Sequence, residues 1–197
     1  TGADGLLQYI FDNIGTTNRY YVEFGTQWGA LETNTRLLRE NDGWTGLLMD
    51  GDSEDKSINL RKEFILPGTI ADVFAKYNVP REFDLLSIDI DSTDLWVWRA
   101  LCYQGLYRPR VVVIEFNRNY GLGEYWTFPD DPALFWAPAH DQLFGASLSA
   151  LHLLSRQMSP GYTLIGVDAE NINAFFLRDD VHDANIKYRR SLASIHP

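Results

Sequence analysis

Tyr20-Tyr21-Val22-Glu23-Phe24-Gly25-Thr26-Gln27-Trp28-Gly29 is the stretch that decides the fold. A short apolar run ends in an acid and then turns through two glycines into a helical pattern over Leu31 to Asn41. This is the order of a strand-to-helix turn that receives a nucleotide-like cofactor. Glycine at 25 and 29 lets the backbone turn sharply and lets a ligand come close where a side chain would block it. The spacing is GxxxG, so the dinucleotide fingerprint GxGxxG is absent, and no P-loop GxxxxGK[ST] occurs anywhere. Glu23 ends the strand with an anion, whereas a diphosphate prefers helix-terminus amides alone. A cofactor with a cationic amino-acid group suits Glu23, Gly25, Gln27 and Gly29 better.

A second acid extends this reading. Trp44-Thr45-Gly46-Leu47-Leu48-Met49-Asp50 is a short apolar strand ending in Asp50. An acid at the end of the second strand of a βαβ unit is where a carboxylate accepts hydrogen bonds from ribose hydroxyls. A ribose at Asp50 together with an amino-acid group at Glu23 makes S-adenosylmethionine the expected cofactor.

Strand-like and helical segments alternate outward from this unit, which implies a parallel sheet covered on both faces. The expected strands are Tyr20 to Phe24, Gly46 to Asp50, Glu63 to Leu66, Asp84 to Ile90 and Arg110 to Phe116. Helical patterns follow the first four, over Leu31 to Asn41, Ser53 to Arg61, Thr69 to Tyr77 and Asp94 to Leu101. Val111-Val112-Val113-Ile114 is continuous and mostly β-branched, as a strand buried on both faces should be. An irregular Gly-, Pro- and aromatic-rich segment follows, a lid-like insertion at about 118–144. A helix over Gly145 to Gln157 comes next, then strands over Tyr162 to Val167 and Asn171 to Leu177. Their short connection, Asp168-Ala169-Glu170, makes the last pair an antiparallel hairpin on an otherwise parallel sheet.

Size and charge limit the classes of function. At 197 residues with 45% apolar content, a single domain over 1–197 is expected. A formal charge of -10 argues against nucleic acid or an anionic membrane as a partner, since both require clustered Lys and Arg. No run of 18 apolar residues and no charged-then-apolar leader occurs, so no membrane span is expected. The single Cys102 excludes an intrachain disulfide and suits a reducing compartment, with cytoplasm the default. A small-molecule acceptor is the expected partner, and a homo-oligomer is compatible with the exposed aromatics.

Five βα units, a glycine loop after the first strand and a terminal hairpin resemble the α/β, Rossmann-like class I methyltransferase fold, with a mostly parallel seven-stranded sheet and helices on both faces. Within that class, Tyr21-Val22-Glu23-Phe24-Gly25, Asn34-Thr35-Arg36-Leu37-Leu38, Asp84 to Asp91 and Val112 to Asn117 together resemble the FkbM-type methyltransferase family. Ser92 and Asp94 depart from the glycine and glutamate common there. The resemblance implies methyl transfer, commonly to a hydroxyl of a sugar or natural product. It implies Glu23, Gly25, Gln27 and Gly29 around the methionine moiety, Asp50 on the ribose, Asp89 beside the sulfonium and Ile70 against adenine.

Acids also cluster where the acceptor is expected. Asp89, Asp91 and Asp94 follow the fourth strand, and Glu115 with Asn117 ends the fifth, so both groups emerge at the carboxyl edge where open α/β sheets bind ligands. Asp89, Glu115 and Asn117 form a candidate oxygen-ligand set for Mg2+, which would lower the pKa of an acceptor hydroxyl. Catechol-type O-methyltransferases are similar in this placement of acids. The alternative is a metal-free site whose carboxylates bind the cofactor amine and the acceptor hydroxyls; in either case Asp91, Glu115 and His140 are the candidate bases. His140 sits beside Asp141 in the lid-like segment, whose rings Tyr120, Tyr125, Trp126, Phe128, Phe135 and Trp136 serve either to stack on the acceptor and shield the site or to pack against the sheet or in a dimer interface.

Overall fold

Apolar residues alternate along each strand between two separate cores, and this alternation sorts the helices. The computed structural model describes residues 2–26, 33–103, 105–131, 133 and 144–183. Its strands are β1 (Tyr20–Phe24), β2 (Thr45–Asp50), β3 (Leu60–Lys62), β4 (Glu82–Ile88), β5 (Arg108–Glu115), β6 (Tyr162–Val167) and β7 (Asn173–Arg178). The helices are α1 (Gly2–Ile14), α2 (Arg36–Asn41), α3 (Ile70–Lys76), α4 (Asp94–Cys102), α5 (Leu148–Gln157) and α6 (Asp179–Asp183). Val22, Phe24, Leu47, Met49, Leu86, Ile88, Val112 and Ile114 pack with residues of α3, α4 and α5. Their strand neighbours Tyr21, Leu48, Leu85, Val111 and Val113 pack with residues of α1, α2 and α6 on the other face. The period of two is that of side chains leaving a pleated strand on opposite sides.

The sheet is seven-stranded in the order β3-β2-β1-β4-β5-β7-β6. The pairs β1·β2, β1·β4, β2·β3 and β4·β5 are parallel, while β5·β7 and β6·β7 are antiparallel. The architecture is therefore α/β with a mostly parallel sheet and an antiparallel C-terminal pair, as the alternation of segments implies. The chain crosses from one side of β1 to the other between β3 and β4, which opens the sheet's carboxyl edge above β1 and β4.

Three differences from the sequence reading have physical causes. Residues 63 to 66 are not a strand: β3 lies earlier, at Leu60–Lys62, and Glu63, Phe64, Ile65 and Leu66 leave the sheet before Pro67 and Gly68. The helical pattern over Ser53 to Arg61 yields only one 3-10 turn, Lys56–Ile58, because Asp55 accepts a hydrogen bond from the Ser57 amide and Asn59 turns left-handed at φ 57°. The third difference is α1, for which the sequence reading assigns no element. Ala3, Leu7, Ile10 and Phe11 form its buried stripe, at the spacing of an amphipathic helix.

At the opposite, amino edge of the sheet, Asp84 fixes the α1–β1 connection. Its buried carboxylate accepts from the amides of Thr17, Asn18 and Arg19, from the Thr17 hydroxyl and from Arg110 at 2.8 Å. Arg110 in turn donates to the carbonyls of Ile14 and Gly15 at the end of α1.

Candidate functional site

Strand register builds the site. Phe24 pairs with Met49 on one side and Ile88 on the other, and Ile88 pairs with Ile114. One residue further along, Asp50, Gly25, Asp89 and Glu115 stand side by side at the carboxyl edge. Gly25 has φ +80°, and a Cβ there would lie 1.2 Å from the Asp89 carbonyl oxygen. Glycine is thus required at 25 by the neighbouring backbone as well as by the turn.

A cavity of about 420 Å3 opens at this edge, a volume suited to a cofactor-sized molecule. Gly25, Asp50, Asp89 and Asp91 line it, together with Asp52, Glu63, Phe64, Ile65 and Leu66. Its five carboxylates face no Lys, Arg or His among the described lining residues. Glu63 is offset by Lys76, whose ammonium donates to it, as does the Tyr77 hydroxyl. These bonds hold the Glu63 carboxyl below its ordinary range. Asp50 directs one oxygen to the amides of Asp52 and Ser53 at 2.8 and 3.0 Å, closing the loop after β2.

Asp89, Asp91 and Glu115 each offer a carboxylate oxygen, and these lie within 4.8 Å of one another. The Asp89 and Glu115 carboxyls therefore face each other at close range. Burial pushes both carboxyls well up, reinforced at Asp89 by Asp94 and Asp91 and at Glu115 by Asp89, Asp94 and Asp91. Two carboxylates so placed cannot both ionise readily, and the pair keeps a proton at neutral pH. Glu115 Oε2 is buried with no hydrogen-bond partner. Asp94 has a different task. Fully buried, it accepts from the amides of Ile90 and Ser92 at 2.8 and 3.0 Å, and burial raises its carboxyl to about 6. Those bonds clamp the turn that holds Asp91 in the left-handed conformation at φ 57°.

Other expected site residues are placed differently. Glu23 is buried and lines no part of the cavity; its oxygens accept from the amides of Asn34 and Thr35 and from the Thr35 hydroxyl, securing the approach to α2. Ile70 is fully buried in the core and does not border the cavity. The apolar wall is Phe64, Ile65 and Leu66, with Phe64 64% exposed. Asn117 is not carried beside Glu115 by strand alternation, because β5 ends at Glu115. Its side chain is committed to the following loop, accepting from the Asn119 amide and donating to the Phe144 carbonyl. Gln27, Gly29 and His140 lie outside the described residues, as do Phe135 and Trp136. Tyr120 and Trp126 stack on each other at 5.7 Å, and none of Tyr120, Tyr125, Trp126 or Phe128 lines the cavity. The 124–128 segment is tied to the start of α5 through Ser147 and to α4 through the Trp96 indole, which donates to the Phe128 carbonyl.

Sequence reasoning missed Asp52, Glu63 and Phe64 as cavity residues. Pro67-Gly68, directly after Leu66, is the signal that the preceding apolar run turns away from the sheet rather than continuing a strand. Among the described residues, no helix is long and apolar enough to cross a membrane. Comparison with protein-family models and with curated proteins returns no match for this sequence.

Proposed function

We propose that this protein is an S-adenosylmethionine-dependent methyltransferase of the Rossmann-like class I type, acting on a hydroxyl of a small acceptor such as a sugar or natural product. The observation that carries this reading is the charge of the cavity. Five carboxylates and no described cation line a cofactor-sized space at the carboxyl edge, an environment that repels a dinucleotide's diphosphate and favours a sulfonium. The resemblance of the motifs around Glu23, Asp89 and Glu115 to FkbM-type enzymes supports the same reading.

In this reading the ribose hydroxyls donate to Asp50, the adenine lies against Phe64, Ile65 and Leu66, and the sulfonium faces Asp89. The acceptor oxygen attacks the methyl carbon as the carbon–sulfur bond breaks, its electron pair staying on sulfur to leave a neutral thioether. The acceptor's proton passes to the carboxylate set of Asp89, Asp91 and Glu115. The protein's contribution is alignment, exclusion of water and removal of that proton. Those three residues also offer a divalent cation its oxygens, and Mg2+ held there would lower the hydroxyl's pKa.

The test is incubation of the chain with methyl-labelled S-adenosylmethionine and a panel of polyhydroxylated acceptors, reading S-adenosylhomocysteine and labelled product. Label transfer to one acceptor class is expected. No cofactor binding and no thioether above the protein-free blank would remove the reading.

A further inference from the structure

Resting on that reading, we infer that the cavity is selective for the sulfonium charge itself, so that S-adenosylmethionine binds more tightly than S-adenosylhomocysteine and the spent cofactor is expelled by its own loss of charge. The two ligands share adenine, ribose and amino-acid end. They differ by one methyl group and one positive charge, so any preference between them reports the electrostatics around the sulfur.

The surroundings of that position are unusually one-sided. Asp50, Asp52, Asp89 and Asp91 line the cavity, and the fifth carboxylate, Glu63, is the one that carries its own cation, Lys76. The whole chain carries a formal charge of -10, so the background field has the same sign. Asp91 is presented by a strained turn: its left-handed backbone is held by Asp94 bonding the amides on either side, Ile90 and Ser92. The two Asp94 bonds fix the turn, and with it the position from which Asp91 lines the cavity, before a ligand arrives. A unit charge near the sulfur, at an effective dielectric between that of a protein surface and water, changes affinity by about threefold to tenfold. Methyl transfer removes at once the attraction of Asp50, Asp52 and Asp91, the lining acids that neither share a proton with Glu115 nor pair with Lys76.

Calorimetry of the full chain with each of the two ligands, at about 50 mM and about 500 mM NaCl, tests the inference. S-adenosylmethionine should bind at least about tenfold more tightly at low salt, with the ratio falling toward unity at high salt because the charges common to both ligands are screened alike and the ratio reports the sulfonium's attraction. Asp91→Asn and Asp52→Asn should each reduce the ratio of the two affinities about threefold. Asn is chosen because it tolerates the left-handed conformation at 91, and Asp52 is exposed. Equal or tighter binding of S-adenosylhomocysteine to the unaltered chain would overturn the inference and leave the methyltransferase reading standing. A ratio that ignores both substitutions would also overturn it. Failure of both ligands to bind would remove the reading together with the inference.

Discussion

The carboxyl groups of Asp89 and Glu115 meet because Ile88 and Ile114, the residues before them, are paired in register on adjacent parallel strands. Their proximity is a consequence of topology, and so is the cost of ionising both. Glu115→Gln should lower turnover by roughly a hundredfold to ten-thousandfold, since an amide can neither accept the acceptor's proton nor serve as an anionic metal ligand. Affinity for the cofactor should change little. Chelation with EDTA separates the two routes: loss of activity restored by Mg2+ supports metal-assisted deprotonation, while indifference to chelator assigns the proton to a carboxylate directly.

The same substitution should stabilise the fold, with a defined pH dependence. Burial, then Asp89, raises the Glu115 carboxyl above its ordinary value of 4.5. The unfolded chain therefore gains by ionising once the pH passes about 4.5, and the folded state loses stability from there upward. Glu115→Gln removes that penalty. Thermal unfolding should show a gain on the order of 1 kcal/mol at pH 8 and almost none at pH 4. A variant less stable than the parent at pH 8 would mean that the carboxyl pair holds the sheet edge together.

Asp84 should behave with the opposite sign. Burial alone would raise its carboxyl, but the Arg110 guanidinium and the Thr17 and Arg19 amides outweigh it and hold it below its ordinary value of 3.8. Its contribution is complete above about 3.8 and is lost as the pH falls through the lower folded value. Asp84→Asn should cost about 3 kcal/mol at pH 7, because it leaves Arg110 without its buried partner. The deficit should shrink in acid. Urea unfolding at pH 7 and pH 3 checks both statements.

Phe64 and Ile70 separate the observed cavity wall from the expected one. Phe64→Ala should weaken S-adenosylmethionine binding by about fivefold to tenfold with little loss of stability, as an exposed stacking ring does. Ile70→Ala should cost about 2 to 4 kcal/mol of stability, as buried aliphatic truncation does, and leave affinity for the folded protein unchanged. Reversed effects in calorimetry and unfolding would return the adenine to Ile70. Asp50→Ala provides the companion test of the ribose contact, with an expected loss of about tenfold to a hundredfold.

How much was legible in the sequence depended on whether local pattern or tertiary pairing decided each residue's place. Tyr20–Phe24 and Tyr162–Val167 have the bounds that their apolar runs indicate, and Val111 to Ile114 lies between two paired strands as its β-branched run implies. The meeting of Asp89 with Glu115 was also legible, since both end strands that had to be adjacent. Phe64 was not, because a three-residue apolar run reads alike as strand or as cavity wall until pairing shows that β2 stops at Asp50 and β3 at Lys62. Asn117 lies beyond the end of β5, where a period of two no longer applies and the loop's own hydrogen bonds set its direction. Glu23 shows the same limit: its position at the end of β1 was clear, but not that Asn34 and Thr35 would take its oxygens.

The most direct test of the account is thermal stability of the chain with S-adenosylmethionine and, separately, with NAD+. A hundredfold excess of S-adenosylmethionine over its dissociation constant should add about 2.7 kcal/mol, as any ligand specific to the folded state does, and NAD+ at the same concentration should add nothing because its diphosphate would enter a cavity lined by five carboxylates and no described Lys, Arg or His. Stabilisation by NAD+, with none by S-adenosylmethionine at millimolar concentration, would contradict the account.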